Sequence, residues 1–164
     1  MKSLLLLRHA KSSWKDSDLD DHERPLNKRG KKDAPKMGML LRDEDMLPDL
    51  IVSSSARRCR KTAEHVLHSS GYRGETRFSD DLYEANAGKL REYLARLDDG
   101  MGRVLLIAHN PGLEELLEAL VGAYTPLSTA ALAQVDLRLD SWNRLDGDSR
   151  GDLIKVWQPR ELED

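Results

Sequence analysis

Residues 103–112 read Arg-Val-Leu-Leu-Ile-Ala-His-Asn-Pro-Gly, and they give the clearest indication of the fold class. The apolar run from 104 to 108 is typical of a strand that is buried on both faces of a parallel sheet. The sequence that follows predicts a helix start, with Asn110 as the N-cap and Pro111 at the first helical position. A buried strand that leads directly into a helix indicates an α/β protein.

The remainder of the chain alternates strands and helices in the same way. Asn27 is expected to cap a helix, and Pro35 inside that helix is expected to kink it or to move its start. The polar, aspartate-rich residues 11–26 predict a solvated loop. The last two strands alternate apolar and polar residues, so both are predicted to be sheet edges. The predicted strands are 3–7, 50–52, 76–79, 103–108, 131–139 and 152–158, and the predicted helices are 27–44, 56–69, 88–98 and one that opens at 110–112.

This alternation predicts an α/β fold in a single domain over residues 1–164. Helices should cover both faces of a mostly parallel central sheet, which gives a three-layer αβα sandwich. In such sheets, ligands bind beyond the carboxyl ends of the strands. The side chains that follow each strand are therefore the first candidates for a functional site.

The composition excludes several classes of function. The chain is 34% charged with a formal net charge of −3, and no run of like charge is long enough for a nucleic-acid arm or a polybasic membrane patch. No stretch approaches the roughly 18 apolar residues of a membrane span, and the apolar N-terminal run is too short for a signal peptide. Cys59 is the single cysteine, which excludes an internal disulfide. We therefore expect a cytoplasmic protein without nucleic-acid or membrane partners.

Three predicted strand ends carry groups suited to binding phosphate. Arg8 and His9 follow the first strand, and His109 follows the fourth. Arg57 and Arg58 lie in the first turn of the helix after the second strand. Guanidinium groups bind phosphate oxygens bidentately, and a neutral imidazole is a nucleophile near pH 7. Taken singly, such a histidine is more often structural and such arginines usually form a solvated helix face, but the agreement among three strand ends favours an anion site.

These segments resemble the motifs of the histidine phosphatase superfamily. Leu7-Arg8-His9-Ala10 is similar to its Arg-His-Gly signature, residues 54–64 to its second motif and residues 107–110 to its third. Order and spacing match along nearly the whole chain. The chain is too short for the long helical insertion found in phosphoglycerate mutases and acid phosphatases. Three further segments resemble the short SixA-like phosphohistidine phosphatases, namely residues 8–12, 23–30 and 81–85.

The resemblance implies a phosphoglycerate mutase-like fold and a phosphatase that uses neither a cofactor nor a metal ion. It implies that His9 is the nucleophile, and that Arg8, Arg58 and a protonated His109 hold the phosphoryl oxygens. The reaction that it implies has two steps. His9 displaces a leaving group and becomes phosphohistidine, which water then hydrolyses.

Other residues keep alternative interpretations. Arg58, rather than Arg57, is the arginine that matches the second motif. Glu84 is either a general acid that protonates an ester oxygen or a surface glutamate. Arg24 either reaches the phosphate or pins its loop through the aspartates. Asn110 is a further candidate for substrate binding.

The substrate that the resemblance implies is phosphohistidine on a protein, such as a phosphotransfer domain, because a short chain should leave the site open to a protein surface. The alternatives are a phosphatase of small phosphate esters on the same scaffold and a phosphate-binding module without turnover. The sequence gives no indication of an oligomeric state.

Asp16, Asp18 and Asp20 have the start of a calcium-loop spacing, but Asp21 and Asn27 stand where glycine and glutamate are needed. No metal site is therefore expected.

Overall fold

The computed structural model of the protein describes residues 1–162. Its centre is a six-stranded mixed sheet in the order β3-β2-β4-β1-β5-β6. No helix within that range has the length and apolar character needed to cross a membrane. The strands are β1 (Lys2–Arg8), β2 (Leu50–Ser54), β3 (Glu75–Ser79), β4 (Arg103–Ala108), β5 (Leu132–Leu137) and β6 (Gly151–Trp157), and the α-helices are α1 (Lys28–Asp43), α2 (Arg57–Ser70), α3 (Ala87–Ala95) and α4 (Gly112–Val121).

Two apolar cores, one on each face of the sheet, hold the three layers together. Successive side chains of a strand point to opposite faces. Leu4 and Leu6 of β1 therefore pack with α3 and α4, whereas Leu5 and Leu7 pack with α1 and α2, and all four are fully buried. Burying one such side chain stabilises the fold by about 1.5–3 kcal/mol. The predicted αβα sandwich with a mostly parallel sheet is confirmed.

The prediction that the last two strands are both edges was wrong for β5. This strand pairs antiparallel with β1 on one side and with β6 on the other, so the edges are β3 and β6. Alternation along β5 divides its residues between the buried Val135 and Leu137 and the half-buried Gln134 and Asp136. Alternation of apolar and polar residues predicts which face of the sheet each side chain occupies. It does not predict whether the strand pairs with one neighbouring strand or with two.

The first helix begins as predicted. The side chain of Asn27 accepts a hydrogen bond from the Gly30 backbone N–H at 2.9 Å, which caps α1 at Lys28. Pro35 lies inside α1 and does not move its start. The cap therefore outweighs the proline in setting where the helix begins.

The predicted cap of α4 was wrong. Pro111 occupies the cap position and the helix begins at Gly112, without a side-chain cap. The Asn110 side chain instead donates a hydrogen bond from Nδ2 to the carbonyl oxygen of Leu127 at 2.9 Å. One of the two amide N–H groups of Asn110 is therefore bonded to the loop that follows α4.

Parallel pairing between β1 and β4 sets the position of the two histidines. The register pairs Leu7 with Ile107 and Arg8 with Ala108. His9 and His109 therefore leave the sheet at the same level on neighbouring strands. The backbone N–H of His9 donates to the carbonyl oxygen of Ala108 at 3.2 Å, which continues the pairing to the edge of the sheet.

We expect Gly30→Ala to destabilise the protein, although alanine is the better helix former. An added Cβ would lie 2.1 Å from the carbonyl oxygen of Lys11, the atom that accepts a hydrogen bond from the Asn27 N–H. The start of the loop over residues 11–26 would have to move, at a cost of about 1–3 kcal/mol. Urea unfolding checks this, with Gly147→Ala as the control because an added Cβ meets nothing within 4 Å there. Equal stability of the two variants would contradict the close approach.

Candidate active site

A cavity of about 330 Å³ opens at the carboxyl ends of β1, β2 and β4. All the site residues that the sequence singled out lie in its walls. Further lining residues come from the segment after β1 and from the loop after α4. The lining residues are Arg8, His9, Lys11, Ser12, Trp14, Asp21, Arg24, Arg58, Glu84, His109, Asn110 and Thr129.

His9 is nearly buried and is held in one tautomer. Its Nδ1 lies 2.8 Å from the carbonyl oxygen of Ala10, which can only accept, so Nδ1 carries the proton. The lone pair of the ring is then on Nε2. Burial, together with the nearby charge of Arg58, lowers the pKa of His9 to about 4. At pH 7 the imidazole is a neutral base, which is the form a nucleophile requires.

His109 lies 5.3 Å from His9, centroid to centroid. Its Nδ1 is 3.3 Å from Nη2 of Arg58, a group that can only donate, so Nδ1 is the acceptor. Its Nε2 therefore donates to the Ser54 hydroxyl oxygen at 2.7 Å. Burial, followed by the fields of His9 and Arg58, lowers the pKa of His109 to about 3. His109 is therefore neutral in the free site, and the protonated form expected around a bound phosphoryl group stays a prediction.

Arg58 is the most extensively bonded of the cavity arginines. It donates from Nη1 to the Asp21 carbonyl oxygen at 2.8 Å, and from Nη2 to an Asp21 carboxylate oxygen and to Glu84 Oε1, each at 3.0 Å. Arg57 points elsewhere and donates to the carbonyl oxygen of Glu23 at 3.4 Å. Arg58 therefore lies in the cavity wall, and Arg57 does not.

Arg8 and Arg24 present buried N–H groups without a hydrogen-bond partner. Arg8 donates from Nη1 to the Leu127 carbonyl oxygen at 3.1 Å, but its Nε has no acceptor. Arg24 has no acceptor for Nε or Nη1, although Nε is 3.2 Å from an Asp21 carboxylate oxygen. Unsatisfied buried donors cost about 1–3 kcal/mol each, and the oxygens of a phosphoryl group would satisfy them.

The positive charge at this cavity comes from side chains. Within residues 1–162, no three His, Cys, Asp or Glu side chains are grouped so that they could hold a metal ion. Burial raises the pKa of the Cys59 thiol to about 12, so this cysteine is an inert core residue behind His109. Burial also lowers the pKa of Arg8 and of Arg24. An anion in the cavity would offset that cost.

Asp21 is a site residue that the sequence did not single out. Besides bonding Arg58 and Arg24, it accepts a hydrogen bond from the Tyr83 hydroxyl. Although burial opposes the shift, the Tyr83 hydroxyl and the Arg58 guanidinium hold the pKa of Asp21 below its usual range. Its carboxylate therefore stays charged between two arginines. Nothing in the spacing distinguishes it from the other aspartates of residues 11–26, so no sequence signal could have found it.

The expectation that residues 11–26 form a solvated loop was wrong in part. Ser12 pairs with Leu26 in an isolated antiparallel bridge, and both residues are buried. Residues Asp21–Glu23 form a 3-10 turn, and Arg24 is buried directly after it. The segment is polar because it forms a wall of the cavity, and polar composition alone does not distinguish that from exposure to water.

Glu84 reaches the cavity from the segment between β3 and α3. Its backbone is in the left-handed region with φ of 52°, and its side chain is half exposed. Its Oε1 lies 3.0 Å from Nη2 of Arg58 and 3.8 Å from Nδ1 of His109. A carboxylate that is open to solvent and beside the cavity has access to a leaving group, so the geometry keeps the general-acid interpretation as a prediction.

The fold is phosphoglycerate mutase-like. A family model described as histidine phosphatase superfamily (branch 1) matches residues 4–96 of the chain. An uncharacterized chloroplastic protein of Arabidopsis thaliana is 35% identical over 150 residues, which covers 86% of this chain and 69% of that one. An uncharacterized Mycobacterium tuberculosis protein is 34% identical over 128 residues, covering 78% and 77%. The chain belongs to the histidine phosphatase superfamily.

Solved structures place it near the SixA proteins of that superfamily. The SixA protein of Agrobacterium tumefaciens, named as a candidate phosphohistidine phosphatase, is 29% identical with a TM-score of 0.83, covering 96% of this chain and 98% of that one. The protein histidine phosphatase SixA in complex with tungstate has the same TM-score at 23% identity, with 98% and 99% covered. At 23% identity, the similarity to this second structure supports the fold and no statement about activity. The predicted likeness to SixA is confirmed.

The two buried histidines should make stability depend on pH. Both are neutral in the folded protein down to about pH 4, whereas an unfolded histidine takes up a proton near pH 6.5. The free energy of unfolding should therefore fall as the pH decreases from 6.5 towards 4, by up to about 1.4 kcal/mol per pH unit for each histidine.

Urea unfolding between pH 5 and pH 7.5 measures this dependence. The double variant His9→Gln, His109→Gln should lose most of the slope. The control is His68→Gln, which removes an exposed histidine of α2. If the double variant kept the slope of the original protein, the two buried imidazoles would not be its source.

Proposed function

We propose that the protein is a phosphatase in which His9 forms a phosphohistidine intermediate. The observation that carries this proposal is the cavity in which a neutral imidazole faces three arginine side chains with unsatisfied donors. Guanidinium groups supply the positive charge that a metal ion supplies in other phosphatases. No metal ion or cofactor enters the proposed reaction.

In the first step, Nε2 of His9 attacks the phosphorus atom. The bond from phosphorus to the leaving group breaks as the bond from phosphorus to Nε2 forms. The hydrogen bond from Nδ1 to Ala10 keeps the lone pair on Nε2 and stabilises the positive charge that develops on the ring. Since the pKa of His9 is about 4, almost every molecule is competent at pH 7.

The phosphoryl oxygens are held by Arg8, Arg58 and Arg24. These three side chains approach the cavity from β1, from α2 and from the loop before α1, so their charges surround the group from several directions. Charge that grows on the equatorial oxygens is then stabilised by donors that are already in place. Asn110 contributes to phosphate binding by positioning Arg8. Its amide donates to the Leu127 carbonyl oxygen, the same atom that accepts a hydrogen bond from Arg8.

His109 acts after the phosphoryl group has entered. A doubly charged anion beside the ring opposes the effect of Arg58 and raises the pKa of His109, so that the ring takes up a proton and donates it in a hydrogen bond from Nδ1. The Ser54 hydroxyl fixes the orientation of the ring during this change. Water then attacks the phosphorus atom, and the bond from phosphorus to Nε2 breaks as the new P–O bond forms. Inorganic phosphate takes up the protons of the water and leaves, and His9 remains as the neutral imidazole.

The substrate that we propose is phosphohistidine on a protein, such as a phosphotransfer domain. Support comes from the open cavity. Only α3 and β4 lie between Tyr83 and His109, so no long helical insertion covers the cavity there. Further support comes from the similarity to the SixA protein of Agrobacterium tumefaciens. A leaving imidazole has a lower pKa than an alcohol and needs less help from an acid.

A small-molecule phosphomonoesterase is the second candidate, and the position of Glu84 favours it. Its carboxylate is half exposed and lies beside His109 and Arg58, where a leaving ester oxygen could accept a proton from it.

A phosphate-binding module without turnover is the third interpretation. It gives no reason for a second imidazole beside His9.

We expect rapid quenching into alkali to trap one phosphoryl group per chain after mixing with phosphoramidate. The label should be acid-labile, and it should be absent from His9→Ala, whose turnover should fall at least about a thousandfold. His65→Ala, on α2 outside the cavity, is the control and should form the intermediate normally. Normal turnover by His9→Ala would refute the mechanism, and the absence of any turnover in the original protein would favour the binding module.

Glu84→Gln distinguishes the two substrate classes. If Glu84 is a general acid, the variant should lose about 100-fold or more in kcat/KM for an alkyl phosphate ester, because an alkoxide needs a proton to leave. Hydrolysis of phosphohistidine should change little. Glu118→Gln, an exposed residue of α4, is the control. An equal loss on both substrates would mean that Glu84 acts by holding Arg58.

A further inference from the structure

Trp14 is the most exposed tryptophan side chain of the described residues, yet it lines the cavity. It is 75% exposed, whereas Trp142 is fully buried and Trp157 is 8% exposed. It lies five residues after His9, and it belongs to the wall formed by residues 11–26. The proposed reaction gives it no role.

The indole ring of Trp14 contacts Arg24. The central carbon of the guanidinium lies 3.4 Å from the ring centroid, which is close contact between an arginine and the face of an aromatic ring. This contact covers one part of the indole and shields the guanidinium, since the Arg24 side chain is only 8% exposed. Arg24 also forms an ion pair with Asp21, whose carboxylate oxygen is 3.2 Å from Nε without hydrogen-bond geometry. Arg24 is therefore fixed by an aromatic face and a carboxylate, while Nε and Nη1 have no hydrogen-bond acceptor.

Most of the indole remains open to solvent beside the cavity. A phosphoryl group held by Arg24 would bring its leaving group close to the exposed part of Trp14. A flat, polarisable leaving group gains contact energy on an aromatic surface, and a small aliphatic one gains little. Isolated exposed aromatic residues are ordinary, but this one is in contact with an arginine of the cavity.

We propose that Trp14 is a specificity-determining residue, which orients Arg24 with one part of its ring and favours planar aromatic leaving groups with the rest. This inference rests on the proposed function for the position of the phosphoryl group. The class of substrate that it selects comprises imidazole-bound and aryl-bound phosphoryl groups over alkyl phosphates. Phosphohistidine belongs to that class because its leaving group is an imidazole.

Binding of two non-hydrolysable probes tests this without turnover. Isothermal titration calorimetry should show that the protein binds phenylphosphonate about fivefold more tightly than methylphosphonate. In Trp14→Leu the preference should fall to about twofold or less, and Trp14→Phe should restore it because a ring is again present. Phe78→Leu, which removes an exposed aromatic of β3 outside the cavity, should keep the original preference.

The result that overturns the proposal is the same preference in Trp14→Leu as in the original protein, or no preference in either. A loss of affinity for both probes by one factor also overturns it, since Trp14 would then only support Arg24. Failure of the proposed function is recognised separately, because the absence of a phosphoenzyme on His9 would leave the binding preference unchanged. Comparing kcat/KM for phenyl phosphate and for an alkyl phosphate in the same variants gives a second readout.

Discussion

The parallel pairing of β1 with β4 is the constraint on which the cavity depends. Each strand is buried on both faces, and the register that aligns Leu7 with Ile107 places His9 and His109 on neighbouring strands at one level. A slip of one residue would move every β1 side chain into the opposite core and would take His9 out of line with His109. The distance between the two imidazoles is thus fixed by the same apolar contacts that hold the sheet between its helices.

The charged side chains of the cavity leave arginine donors that a bound anion would satisfy. The charge of Arg58 is offset by Asp21 and Glu84, but Arg8, Arg24 and Arg58 each keep at least one buried donor that no protein atom accepts. Burial, with a smaller effect of the surrounding positive charge, lowers the pKa of both histidines and keeps them neutral. A phosphoryl group would satisfy the donors and would raise the pKa of His109 in the same event. Binding and activation are therefore one electrostatic change.

The walls of the cavity come from segments between the regular elements. Residues 11–26 contribute Trp14, Asp21 and Arg24, and the segment before α3 contributes Glu84. Tyr83 joins two of these segments, because its hydroxyl donates to Asp21 while its ring lies 5.5 Å from His109. Such segments can differ between members of a superfamily without changing the sheet, so they are where selectivity for a leaving group can arise.

Much of the site could be predicted because strand ends are visible in a sequence. Apolar runs identify the buried strands. His9 and His109 follow two of them directly and Arg58 lies in the first turn of the helix after a third, so the topology of a parallel sheet brings them to one edge. The protonation state of the side chains in the free cavity could not be predicted from the strand ends. Whether His109 carries a proton depends on burial and on the distance to Arg58.

By itself, the sequence determined the α/β class, the layers of the sandwich and the histidine pair, because each depends on local apolar periodicity and chain order. Only the tertiary structure decided that β5 is an inner strand, that Asn110 bonds Leu127 instead of capping α4, and that Asp21 and Trp14 flank Arg24. These features depend on contacts between residues that are brought together by packing. Local sequence periodicity carries no record of such partners.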